Sequence, residues 1–173
     1  MFDPTAFDNM KVVIEGALYD LDISGEIVIT DRNDFINLAK MSRKFDVSFQ
    51  LPNQAVTAKI ELTACLVNLA AELLAPVLSE QEAGCQLRLQ FLTAHENMDI
   101  DYKVVEGILR NIWGPTRTIT QSVHYDPLRN ETNYAYIITI EFDRLIREDQ
   151  MDDLVEMTEF IITTLEELSK KIN

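Results

Sequence analysis

The sequence predicts an α+β fold, in which antiparallel β-hairpins form a mixed sheet covered by about four helices, the last of them long. Segments that alternate apolar and polar residues come in pairs joined by polar turns, the mark of half-buried antiparallel strands. Between them lie segments whose apolar residues recur every three or four positions, as in helices lying on a sheet. Five glycines and five prolines in 173 residues are few, which leaves most of the chain to regular structure.

At the N-terminus, Asp3 before Pro4 is a good helix start, because aspartate caps free amides and proline lacks the amide that a first-turn position leaves unused. A helix continuing from there would put Phe7, Met10, Ile14, Ala17 and Leu21 on one face. The β-branched run Val12-Val13-Ile14 and Gly16 argue against continuation. The expectation is therefore a short helix over Pro4–Asp8, a strand to about Asp22, a turn at Ser24-Gly25 and a return strand over Glu26–Thr30. Asp31 or Asn33 would then cap a helix carrying Phe35, Leu38, Ala39 and Met41.

The next hairpin is the plainest. Phe45, Val47, Phe49 and Leu51 alternate with Asp46, Ser48 and Gln50, Pro52-Asn53-Gln54 turns the chain, and Val56, Ala58, Ile60 and Leu62 return. Thr63 is expected to cap a helix through Leu66, Leu69, Leu73 and Leu74, and Leu87, Leu89 and Phe91 form another strand. Asp99 or Asp101 starts a helix with Val104, Val105, Ile108, Leu109 and Ile112 on one face, ended by Gly114-Pro115. A second long hairpin runs over Thr116–Tyr125 and Tyr134–Asp143. The last helix spans about Glu148–Lys171, acids crowding its positive start and lysines its negative end. Its apolar stripe, widened by Val155, Phe160 and Ile162, suits a helix lying on a sheet better than a narrow coiled-coil seam.

With 47% apolar residues, residues 1–173 are expected to form a single globular domain, large enough to bury about two thirds of its unfolded surface. Cys65 and Cys85 have neither metal-ligand nor redox spacing and are expected to be buried free thiols, as a reducing cytoplasm allows. The acidic N-terminal stretch lacks the basic head and apolar run of a signal peptide, and the apolar segment Leu62–Leu78 is broken by Asn68, Glu72 and Pro76. A cytoplasmic location away from membranes follows. A net charge of −14, spread along the chain with no basic cluster, argues against nucleic acid as a partner.

Chemistry-bearing patterns are sparse. In Asp20–Asp31, oxygen-bearing Asp20, Asp22 and Ser24 stand two apart, Gly25 follows, and Asp31 closes a run of twelve. This resembles most of the calcium loop of a helix–loop–helix hand. Ile23, Val28 and the short side chain of Asp31 depart from that pattern, and a plain β-hairpin accounts for the same residues. His124 and Asp126 near a strand end, with His95 the only other histidine, offer a polar anchor for a small-molecule enzyme or ligand carrier. No nucleophile elbow, phosphate-cradling loop or zinc-protease motif occurs. Tyr and Arg favour recognition surfaces, and Arg117, Tyr125, Arg129, Tyr134 and Tyr136 gather on the second hairpin. The leading expectation is a non-catalytic domain that binds another protein, or itself as a homodimer, with no cofactor. Calcium binding is the alternative.

Overall fold

The structure, a computed structural model, describes residues 5–74, 80–96, 99–128 and 133–172. Its first element overturns the expected N-terminal hairpin. Helix α1 runs unbroken over Ala6–Ser24, capped by the Thr5 side chain, which accepts from the Asp8 amide, and closed by Gly25 at φ +81°. β-Branched residues and a glycine cost tenths of a kcal/mol to about 1 kcal/mol each in a helix. Burying Phe7, Met10, Ile14 and Leu18 completely outweighs that, at about 1.5–3 kcal/mol per large side chain. The expected start at Asp3-Pro4 lies outside the described residues.

The helix expected after Asp31 is also overturned. β1 (Val28–Asn37) and β2 (Ser42–Gln50) form a hairpin whose turn is tied by the Asn37 side chain accepting from the Lys40 amide. β1 is an edge strand, exposed on both faces, so it shows no alternation, and pairing with β2 settles its conformation. β3 (Thr57–Ala64) follows across the Pro52 turn. Helix α2 (Leu66–Leu73) begins at Cys65 and not at Thr63, which belongs to β3. Then come β4 (Gln86–His95), α3 (Tyr102–Trp113, capped by Asp101), β5 (Thr118–His124), β6 (Tyr134–Glu141) and α4 (Met151–Ile172).

The α+β fold class stands. Six strands in the order β1-β2-β3-β4-β6-β5 make one sheet, antiparallel at every pairing and not mixed. Register sends Phe45, Val47, Phe49, Ile60, Leu62, Leu89, Phe91, Ile138 and Ile140 to one face, where they are buried with apolar residues of α1, α3 and α4. The opposite face is polar and laced with ion pairs. Lys44, Glu61, Arg88 and Glu141 join in a row across four strands, and Lys59 pairs with Asp46. Asp46 and Glu61 are buried there only because long neighbouring side chains lie over them. Among the described residues no helix is long and apolar enough to cross a membrane.

Candidate functional site

The end of α3 builds a groove. Gly114 takes φ +83° and Pro115 forbids another turn, so the chain leaves α3 at Trp113 and passes through Arg117 into β5. Beside Trp113 lie Phe142, just past β6, and Phe160 on α4. The Trp113 ring meets Phe142 edge-on at 6.1 Å between centroids, and lies tilted against Phe160 at 5.9 Å. The indole N–H donates to Thr164 Oγ1 at 3.0 Å, and that hydroxyl donates to the Phe160 carbonyl at 2.7 Å, which fixes the ring. These rings, Ile112 and Met157 line a cavity of about 240 Å³.

Two arginines overhang it. The Arg117 guanidinium lies over the Phe142 ring at 4.7 Å. Its Nε is enclosed without a hydrogen-bond partner, and no carboxylate among the described residues pairs with it. Arg144 stands 3.7 Å from Asp153, while Glu156 is exposed at the rim. The result is an aromatic floor, half of Phe160 open to solvent, beside a cation with no anion. A larger hollow of about 370 Å³ lies on the polar sheet face. Its Glu61, Arg88 and Glu141 pair with one another, so they are spoken for.

The residues singled out in the sequence are dispersed. Asp20, Asp22 and Ser24 occupy the last turns of α1, where residues two apart point to opposite sides of the helix, and Asp31 is in β1. Asp22 Oδ1 accepts from the Ile29 amide at 3.0 Å, and Ser24 Oγ donates to the Leu21 carbonyl at 2.9 Å. Among the described residues no group of three or more His, Cys, Asp or Glu side chains is placed to hold a metal ion.

The Tyr/Arg set is divided by the hairpin that carries it. Tyr136 is buried, its hydroxyl donating to Gln121 Oε1 and its ring edge-on to Tyr102 at 5.6 Å; burial pushes its phenol well above the usual range. With Gln121 also donating to the Tyr102 carbonyl at 3.0 Å, this network anchors α3 to the sheet. Tyr125 and Tyr134 lie tilted together at one end of the hairpin, 5.9 Å apart, and Arg117 sits at the other end. Arg129 lies outside the described residues.

His124 is exposed at the end of β5, and the Asp126 carboxylate accepts from the Leu128 amide, a local turn contact. The His95 side chain lies outside the described part of the chain. Cys65 is exposed, contrary to expectation, because it stands at the start of α2, where its thiol donates to Asn68 Oδ1 at 2.9 Å. Cys85 is buried; desolvation first, and then the Glu72 charge, push its thiol up to about 12.

Comparison with protein-family models, with curated proteins and with solved structures finds no significant match to this chain.

Proposed function

We propose that this chain is a non-catalytic binding domain that grips a segment of another protein in the groove between α3 and α4. The observation that carries this reading is the unpaired Arg117 beside a partly open aromatic floor, in a chain whose acids outnumber its bases by 29 to 15. Enclosing the Arg117 Nε without an acceptor costs free energy that a bound anion nearby would help to recover. A partner segment with a bulky apolar side chain next to a carboxylate would fill the floor and supply the missing anion. Aromatic and arginine side chains dominate the energetics of such contacts. Asp153 and Glu156 at the rim repel anions, which would keep the segment's carboxylate to the Arg117 side of the floor.

Trp113 is the chain's only tryptophan, so its fluorescence reports on this groove directly. Peptides selected from a random library on the purified protein should carry an apolar residue beside Asp or Glu, and should shift the Trp113 emission. Their affinity should fall about tenfold or more, some 1.4 kcal/mol, in Phe160→Ser and in Arg117→Gln. Selected peptides that bind both variants as tightly as the parent would remove the groove as the site.

A further inference from the structure

One group of exposed large apolar side chains lies on β1, its turn and the adjoining α1. Val12, Tyr19 and Ile23 form an outward stripe on α1, and Phe35, Ile36 and Met41 lie on the neighbouring strand and its turn. β1 pairs with β2 alone, so the row of backbone groups along its outer side faces away from the sheet. Lys11 pairs with Asp34, and Glu15 with Arg32, which sets Val12 and Gly16 level with the middle of the strand. We infer that this edge joins a second copy of the same chain, β1 against β1 in antiparallel order about a two-fold axis near Asn33, so that the sheet continues across the seam.

Charge selects the occupant. Two copies at −14 each repel, and most of the surface would bring acid against acid. At this seam Lys11 and Arg32 offset Glu15 and Asp34, and Asp31 is the one further carboxylate of the strand. Antiparallel pairing centred on Asn33 sets Arg32 opposite the partner's Asp34 twice over, and sets Asp31 opposite the partner's Phe35. No two like charges face each other, and opposite charges across strands favour the pairing. The edge thus complements itself, as an isologous contact requires.

Gly16 supplies a second argument. A glycine inside a helix destabilises it by about 1 kcal/mol relative to alanine. A Cβ at Gly16 would meet nothing within 4 Å, so packing inside the chain does not call for a glycine there. Its neighbour across a two-fold axis would be the α1 helix of the second copy, whose close approach is what a missing side chain permits.

The test is sedimentation velocity on the full chain across about 1–100 μM, where interfaces of this class are populated or lost. The parent protein should run as a dimer that dissociates on dilution. Ile23→Lys and Ile36→Lys, both at exposed positions, should weaken association about tenfold or more while leaving the circular dichroism spectrum unchanged. Gly107 on α3 is an internal control, since a Cβ there also meets nothing within 4 Å. Gly107→Ala should raise the melting temperature and leave association intact, whereas Gly16→Ala should weaken association. A parent that stays monomeric throughout, a dimer indifferent to both lysines, or equal thermal gains from the two alanines with association unchanged would each overturn the inference. None of these outcomes bears on the α3–α4 groove.

Discussion

Glu72 shows what one side chain can do between two helices. From α2 it reaches the start of α1, where one carboxylate oxygen accepts from the Ala6 amide at 2.9 Å and the other is buried without a partner. Desolvation raises its pKa above the usual 4.5, the Glu148 and Asp8 charges add to the rise, and the Ala6 amide opposes it. Between the unfolded and folded values the folded chain keeps a proton that the unfolded chain has released. Stability therefore falls as pH rises through that window, from about 4.5 upward. Glu72→Gln keeps an acceptor for Ala6 and cannot ionise. Its urea midpoint should exceed that of the parent at pH 7, and the two should converge as pH falls below the glutamate range. A midpoint below the parent's at neutral pH would contradict this account. Asp8 has the opposite sign. Burial would raise it, but hydrogen bonds from Arg43 and Thr5 and the Arg43 charge hold it below 3.8, so its contribution is present above that value and lost as pH falls below it. Neither effect was legible in the sequence, because position 72 lies 66 residues from the amide it serves.

Among the elements, legibility followed burial geometry. The β2–β3 hairpin shows its alternation because its two faces meet different surroundings, apolar helices on one side and ion pairs on the other. β1 meets solvent on most of its length and carries no such record. α1 departs from the expected hairpin because the propensities of Val12-Val13-Ile14 and Gly16 yield to the spacing of Phe7, Met10, Ile14 and Leu18, which is helical throughout. Gly25, expected in a hairpin turn, is the residue that ends α1, its amide pointing back to the carbonyls of Asp22 and Leu21. A side chain at φ +81° strains the backbone, so Gly25→Ala should cost about 1 kcal/mol, read as a melting temperature lower by about 2–4 °C. No change would mean that the closing turn relaxes at no cost.

At the scale of the whole molecule, the groove was hidden because the Trp113–Arg117 segment, Phe142 and Phe160 are separate in the chain and come together only through strand order. β6 inserts between β4 and β5, which carries the end of the hairpin over to α3 and α4. The one available hint was Phe160 itself, read in the sequence as part of a stripe suited to a sheet; the structure leaves that ring half open. The two cysteines test the cooperativity of the whole. Cys65 is exposed and should react with a thiol reagent at once, and Cys85, buried in the core, only as fast as the fold opens. Labelling of Cys85 should therefore accelerate with urea in parallel with global unfolding measured by circular dichroism. Fast labelling without urea would show that α2 lifts away independently.

Helix α4 follows all six strands in the chain, yet Leu154, Ile161, Leu165 and Leu168 supply much of the cover for their apolar side. On the ribosome, the strands emerge with that side bare and stay so until α4 has cleared the exit tunnel. Translation that stalls before α4 would release a sticky fragment, a natural client for chaperones and proteases.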